Sequence, residues 1–527
     1  MKSIRLLDCT LRDGGYINQW NFGEKSIREI IHRLVLSKVE VIECGYLQEN
    51  TNFGLDYTIF SDLDFVSTNL CQKYQQQEFA CMINFGDYSL AALHRQSIPD
   101  NLILRIAFHK QDWIEALNFC KELVEDGRRV FVQPMGTLNY TDFEILELIQ
   151  KVNEIKPEAF YIVDSFGTLE IRDFRRLLAL AEHNLDSEII LGYHSHNNKQ
   201  QAYSNSQYML ETIEKHAAII DASIFGMGRG AGNLSEELFA EYLNMVYQKE
   251  YKIVYMLEIM DLYLNRIYME NPWGYQLPYY LSAKYNCHPN YATFFSKKNS
   301  LTVSDIDEIF SGMNEFEKMH YSKETAQKIY DNYQRNQVDD EELRTYLLSE
   351  FIGKEILILG PGKSLSTYQK EIHLYIKEKQ PVIIALNFVP EHYPYSYVFC
   401  TNLKRWDAVK NVDDKQLVIT SNIHKCGKHN MILDYEKIKC NTAEISDNVA
   451  IMLFNLFIQL GITSVQCAGL DGFSASMEEN FVDPAMSLGS NVQTKMLKNK
   501  FIAEEIKECR KKMNIGFITP TKYEREN

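Results

Sequence analysis

His194 and His196 stand two residues apart at the end of the apolar run Ile189-Ile190-Leu191-Gly192-Tyr193. In an extended chain, side chains i and i+2 point the same way, so both imidazoles can reach one ion. Two neutral nitrogens and one carboxylate would leave positions open for substrate oxygens, an arrangement suited to Mg2+, Mn2+ or another first-row divalent cation. Asp13, in Leu11-Arg12-Asp13-Gly14-Gly15, is the carboxylate that a closed barrel would bring to the pair. By itself, His-x-His also describes two hydrogen-bonded core or loop histidines, and the spacing leaves both readings open.

A second pattern lies far downstream. Glu355 to Leu359 reads as a strand, Gly360-Pro361-Gly362-Lys363 as a turn and Ser364-Leu365 as a helix start. Backbone N–H groups at such a turn can hold an anion. The spacing is not that of a Walker A loop, and Leu365 stands where a dinucleotide fingerprint needs its third glycine. A tight turn that binds nothing has the same sequence.

The elements that must position these residues are legible in the alternation of short β-branched runs with longer helix-like segments. Eight candidate strands precede residue 235: Ser3 to Asp8, Val39 to Cys44, Phe79 to Asn84, Leu102 to Phe108, Arg129 to Gln133, Ala159 to Asp164, Ile189 to His194 and Ile219 to Phe225. Eight βα units predict a TIM barrel, whose chemistry sits at the C-terminal strand ends. Those ends carry Arg12, Asp13, Glu43, His109, Asp164, Ser165, His194, His196 and Arg229, so ionisable residues crowd onto one rim. In a closed barrel only one strand separates the first strand from the seventh, which is what lets Asp13 meet the histidines.

The fold class is therefore α/β throughout: a barrel over 1–250, a helical extension and connector over 251–350, and a Rossmann-like domain over 351–527. The last begins with Glu355 to Leu359 and continues with Pro381 to Leu386, Tyr397 to Thr401, Gln416 to Thr420 and Ser464 to Ala468 as strands.

Composition narrows the function classes. At 527 residues the chain is too long for one ordinary core, and 45% hydrophobic with 24% charged residues is globular rather than disordered. A net charge of −16 argues against nucleic-acid binding, which needs a basic surface. No secretory leader or membrane-spanning run is read. The eleven cysteines lack Cys-x-x-Cys spacing, which argues against a disulfide framework or structural zinc. A cytoplasmic homo-oligomer is expected.

Three separated motifs, Asp8-Cys9-Thr10-Leu11-Arg12-Asp13-Gly14-Gly15, His194-Ser195-His196-Asn197 and Gly228-Arg229-Gly230-Ala231-Gly232-Asn233, resemble the DRE-TIM metallolyase superfamily over roughly the first 300 residues. Within it the chain is most similar to 4-hydroxy-2-oxovalerate aldolases, which share the style of Ile42-Glu43-Cys44-Gly45-Tyr46 and Arg105-Ile106-Ala107-Phe108-His109. The resemblance implies that Asp13, His194 and His196 are metal ligands, with Asn233 a fourth ligand or a neighbour. Arg12 would face the oxygen of an enolate, and Ser165 would contact a pyruvate moiety, although a strand-end serine also serves as a turn or cap residue. The implied reaction joins or separates pyruvate, or a similar 2-oxo acid, and an aldehyde.

The pattern departs from those aldolases in one respect. They carry a histidine shortly after Arg-Asp-Gly as the base, whereas this chain has Gly14-Gly15-Tyr16. Tyr16 and His109 are the remaining candidates for the base, the imidazole having the better matched pKa class. The Claisen-condensing branch follows the motif with Glu-Gln, so the sequence favours an aldol over an acyl-CoA reaction. That acyl-CoA chemistry and a non-catalytic scaffold in a glycan pathway are the alternatives.

The C-terminal region resembles sialyltransferase-like and motility-accessory Rossmann-type domains over about 350–480. Its carriers are the glycine turn, Ala385-Leu386-Asn387, Thr401-Asn402, the apolar helix from Asn448 to Leu460 and Cys467-Ala468-Gly469-Leu470-Asp471-Gly472. The resemblance implies a nucleotide or nucleotide-sugar ligand at Gly360, Gly362, Ser364, Asn387 and Asn402. Each asparagine is equally a strand-end cap. Together the two halves suggest synthesis of a 2-keto sugar acid for surface polysaccharide.

Overall fold

A computed structural model describes residues 3–298, 300–423, 431–474, 480–482 and 492–524. The chain divides into two compact units, Met1–Ala292 with Lys318–His320, and Thr293–Glu317 with Tyr321–Asn527. Of the segment read as a connector, residues 251–292 and 318–320 fall in the first unit and the remainder in the second.

The first unit is built on eight parallel strands: β1 (Ile4–Asp8), β2 (Val41–Leu47), β3 (Glu78–Asn84), β4 (Leu102–Phe108), β5 (Arg129–Pro134), β6 (Ala159–Asp164), β7 (Ile190–Ser195) and β8 (Ala218–Ala222). Each pairs with the next, and β1 pairs with both β2 and β8, with Leu7 opposite Val41 and Asp221. The sheet is therefore closed. Parallel strands buried on both faces read as near-continuous apolar runs, as in Leu102-Ile103-Leu104-Arg105-Ile106-Ala107-Phe108, where every residue is buried and Arg105 alone is charged.

The period of two divides those runs between two cores. Leu7, Val41, Ile103, Phe131, Tyr161 and Ile219 fill the barrel, while their neighbours Leu6, Ile42, Leu104, Val132, Ile162 and Ile220 meet the surrounding helices. At the strands' N-terminal ends, Arg5 and Arg129 each bridge Glu78 and Glu158, which closes that mouth with alternating charge. Two positions beyond the apolar layer, the same inward rows place Glu43, Arg105, His194 and Asp221 toward the other rim.

Two of the expected barrel strands differ from the observed ones by more than a single residue at a boundary. The second strand continues past Cys44 to Leu47, with a register irregularity at Glu43/Gly45 and a two-residue strand, Ile59–Phe60, on its far end. The eighth stops at Ala222, because Ser223 bridges Ser235 and Ile224–Gly226 forms a tight turn with Phe225 at φ 59°. That turn sends the Gly226–Asn233 loop back over the rim.

The second unit carries a seven-stranded parallel sheet: β9 (Ile356–Leu359), β10 (Val382–Leu386), β11 (Tyr397–Cys400), β12 (Leu417–Thr420), β13 (Ile432–Leu433), β14 (Ser464–Ala468) and β15 (Asn514–Phe517). Their spatial order is 13-12-11-10-9-14-15. Separate apolar clusters cover the two faces, one holding Ile356, Ile358 and Ile384, the other Leu357, Leu359 and Ile383. The order reverses between β9 and β14, and in such sheets ligands bind at the carboxyl ends where the order reverses. The edge strands β13 and β15 were not legible in the sequence, one being only two residues long and the other containing Gly516.

Candidate active site

The barrel rim gathers Asp13, His194 and His196, all buried, with one potential ligand atom from each within 4.8 Å of the others. Asp13 ends the short helix Thr10–Asp13 directly after β1, His194 lies in β7 and His196 follows it, held in an antiparallel bridge with Asn233. Asn233 Nδ2 donates to Asp13 Oδ2 at 2.5 Å and to the Met227 carbonyl at 3.2 Å. Its Oδ1 is buried without a hydrogen-bond partner, as is His196 Nδ1. Gly228 closes the ring, since a Cβ there would lie 2.3 Å from Asn233 Nδ2 and 2.7 Å from Asp13 Oδ2.

The electrostatics suit a cation. Burial pushes the His196 imidazole down to about 3, leaving it neutral at ordinary pH. Burial alone would raise the Asp13 carboxyl, but His196 and Arg12 outweigh it and hold the group well below the usual carboxylate range. Two imidazoles, one carboxylate and the orphaned Asn233 Oδ1 form an N/O donor set of the kind that holds a divalent first-row ion or Mg2+. The residues fit such an ion.

A line of charge runs beneath this set. Arg12 Nε donates to Glu43 Oε2 at 2.8 Å and Arg12 Nη1 to Asp13 Oδ1 at 2.7 Å, while Nη2 is buried with no partner. Arg105, fully buried on β4, donates to the same Glu43 oxygen at 2.8 Å and to Asp221 Oδ2. Asp221 Oδ2 in turn lies 2.9 Å from His194 Nδ1. Burial opposes the Asp221 charge, but Arg105 and His194 outweigh it and keep the carboxyl below its ordinary value. The residues from Arg12 to His194 are thus one connected network.

The other residues singled out from the sequence are placed as follows. Tyr16 is partly exposed, its hydroxyl 3.0 Å from that of Tyr46 and its ring 5.1 Å from the Arg229 guanidinium. Ser165 Oγ accepts from the Gly136 N–H at 2.9 Å, so its oxygen does serve the turn. His109 stands at the outer edge of the rim, 6.2 Å from the His320 ring, and is held below its ordinary pKa by partial desolvation and that neighbour.

Sequence reasoning passed over three residues. Asp221 lay inside an expected strand, Arg229 was seen on the rim without a role, and His288 fell in what read as a helical extension. His288 packs against Phe166 at 5.6 Å, and its Nδ1 accepts from the Asn290 N–H at 3.2 Å. Burial, followed by Arg229 and His109, pushes it down to about 2. Only the break at Cys287-His288-Pro289 marks it in the sequence.

In the second unit the glycine turn is already filled. Gly362 N donates to the Gly469 carbonyl at 2.8 Å, Ser364 N to Asp471 Oδ2 at 2.8 Å, and Ser364 Oγ to Asp471 Oδ1. A Cβ on Gly362 would lie 2.5 Å from the Asp471 carboxylate carbon. The anion at this turn is the chain's own. Asn387 Oδ1 accepts from Thr401 N and Asn402 Oδ1 from Lys404 N, both at 2.9 Å, so each asparagine is a cap. Both also line a cleft at the carboxyl ends of β9, β10, β11 and β14, as does Gly362; Gly360 and Ser364 do not.

Comparison with known proteins finds a match to the HMGL-like family over residues 103–262. A 4-hydroxy-2-oxovalerate aldolase of Bacillus cereus is 23% identical over 266 residues, covering 49% of this chain and 75% of its own. Another, 4-hydroxy-2-oxovalerate aldolase 6 of Rhodococcus jostii, is 26% identical over 243 residues, 45% of this chain and 66% of that protein. Among solved structures, the N-terminal domain of an aldolase candidate from Bacteroides vulgatus aligns with 26% identity and a TM-score of 0.48, covering 56% of this chain and 97% of that one. Among the described residues, no helix is long and apolar enough to cross a membrane.

Proposed function

We propose that the barrel is a member of the DRE-TIM metallolyase superfamily, as its HMGL-like match and its similarity to 4-hydroxy-2-oxovalerate aldolases support, and that the protein is a divalent-metal-dependent aldolase or aldol synthase joining or separating pyruvate and an aldehyde. One observation carries the reading: Asp13, His194 and His196 converge in a buried cluster beside an arginine, Arg12, that keeps one N–H group unpaired. Mn2+ or Mg2+ suits the donor set, with Asn233 as a fourth ligand. When bound, the cation supplies Lewis-acid polarisation of a substrate carbonyl.

The chain's own groups do the rest. In the cleavage direction the hydroxyl proton of a 4-hydroxy-2-oxo acid passes to a base as the bond between carbons 3 and 4 breaks. The aldehyde leaves, and the bonding pair becomes the enolate of pyruvate. Arg12, with Nε and Nη1 tied to Glu43 and Asp13, presents Nη2 to the enolate oxygen and stabilises the charge that develops there. Ser165 keeps its hydroxyl hydrogen for the pyruvate carboxylate while its oxygen accepts from Gly136. His109 and Tyr16 are the base candidates. His109 is neutral at pH 7 and so able to accept a proton.

The second sheet, in this reading, holds a nucleotide, a nucleotide-linked sugar or another phosphorylated group, and the barrel builds a 2-keto sugar acid for surface polysaccharide. What supports this is the cleft at the strand-order reversal, lined by Asn387 and Asn402.

The deciding assay supplies Mn2+ or Mg2+ and measures pyruvate release from 4-hydroxy-2-oxo acids, condensation of pyruvate with a panel of aldehydes including aldoses, and thiolester chemistry with acetyl-CoA. Turnover with pyruvate and an aldehyde is expected. Turnover with acetyl-CoA alone would assign the acyl-CoA branch, and inactivity in all three, together with no solvent deuterium entering the pyruvate methyl group, would leave a scaffold.

A further inference from the structure

The cleft of the second unit is lined by three cations, Arg405, Lys495 and Lys498, and three carboxylates, Glu444, Asp447 and Asp471, yet among the described residues two of the cations make no ion pair. Its floor is the strand-order reversal, where Pro361-Gly362 and Gly469-Leu470-Asp471 meet, and one wall is the helix Val492–Cys509. Lys495 and Lys498 on that helix are three residues apart, hence on one face. Lys495 is only 4% exposed and, among the described residues, makes no hydrogen bond or ion pair. Lys498, half-buried, is equally unpaired, and burial lowers its pKa despite the pull of Asp447. A buried ammonium without a counter-ion is costly, and chains seldom carry one unless something else supplies the anion.

Two further features favour an anion at the same place. The helix Val449–Gln459 begins in the cleft, with Asn448, Val449 and Ala450 among its lining residues. Asn448 Oδ1 caps the Ile451 N–H at 3.1 Å, and the earlier N–H groups of the first turn have no acceptor within the helix. The turn after β9, by contrast, is unavailable, because Asp471 occupies it. Asp447, whose charge acts on Lys498, has one buried carboxylate oxygen that accepts no hydrogen bond, a site for a hydroxyl donor rather than for a phosphate. Glu444 adds a second carboxylate to that wall.

We propose that this cleft binds a hydroxyl-bearing organic phosphate, with its phosphate on Lys495, Lys498 and the first turn of the helix Val449–Gln459, and its hydroxyls toward Asp447. The inference rests on reading the second unit as a phosphate-ligand domain, and it moves the phosphate away from the glycine turn. Nucleotides and sugar phosphates share this chemistry and are separated by the test.

The test titrates full-length protein calorimetrically with inorganic phosphate, uridine monophosphate and glucose 1-phosphate. One of the two organic phosphates should bind, and that result names the source; inorganic phosphate should compete with it. Lys495→Met and Lys498→Met should each weaken the binding about tenfold or more, whereas Ser364→Ala should leave it within about twofold. Without ligand, Lys495→Met should unfold at a temperature no lower than the parent's, since it removes a buried charge and no bond; a structural lysine would shift the other way. Should that variant fail to fold, Lys498→Met and ligand protection of the half-buried Lys498 from acetylation carry the same test. Binding lost in Ser364→Ala but retained in both lysine variants would overturn this placement and leave the phosphate-ligand reading intact. Binding of none of the three, or of inorganic phosphate alone, would overturn both.

Discussion

Asp221 Oδ2 lies 2.9 Å from His194 Nδ1 and accepts from Arg105 as well, so the carboxylate oxygen that orients the imidazole is itself held by a buried guanidinium. With Nδ1 donating to Asp221, the neutral ring leaves Nε2 as its lone-pair nitrogen, the atom a cation needs.

Asp221→Asn should therefore weaken the metal before it weakens the fold. The amide can offer its NH2 to His194 as a donor, which favours the wrong tautomer. Affinity for Mn2+, followed by electron paramagnetic resonance, is expected to fall about 10- to 100-fold. An unchanged affinity would reduce the contact to packing.

His194→Ala and His196→Ala should each abolish stoichiometric metal and turnover together while circular dichroism stays that of the parent. The rim contributes little to the apolar core that Leu7, Ile103, Phe131 and Tyr161 form inside the barrel. Exhaustive chelation of the parent should reproduce the loss, and added Mn2+ or Mg2+ should reverse it. Full activity after chelation would remove the cation from the reaction.

Arg12→Lys keeps the charge but loses the fork that bonds Glu43 and Asp13 while leaving Nη2 unpaired. Metal binding should be retained, oxalate, an enolate mimic, should bind more weakly, and turnover should drop roughly 10²-fold, by analogy with deleting one oxyanion donor. Deuterium exchange into the pyruvate methyl group should slow in parallel, because it passes through the same enolate. Exchange at the parent rate would leave Arg12 as a residue that only orders the rim.

The acid limb of stability should carry the signature of His288. Burial holds its folded-state pKa near 2, whereas the unfolded imidazole titrates near 6.5. Between those values the unfolded chain binds the extra proton, so this contribution is complete above 6.5 and is lost as pH falls toward 2. Between pH 7 and pH 5 the parent should lose up to about 2 kcal/mol from this group, and His288→Gln should lose correspondingly less in urea denaturation. Parallel curves for the two proteins would show that His288 is not desolvated in solution.

What the sequence determined by itself was whatever depends on neighbours in the chain. Runs such as Leu102 to Phe108 and Ala159 to Asp164 match the observed strands to the residue, because two-sided burial favours a near-continuous apolar composition. The His194/His196 pair was legible because a strand has period two, and the helix after Asn448 because a continuous apolar run of that length is a local signal. Only the tertiary structure decided the rest. Asp221 meets Arg105 across 116 residues because strand order and inward register set both on one layer of a closed barrel. Asp471 fills the glycine turn from 107 residues away because β14 inserts beside β9, a pairing that no local pattern encodes. Nothing in the sequence marks Lys495, and only packing buries it without a partner, since burial is a property of what lies opposite and not of the residue.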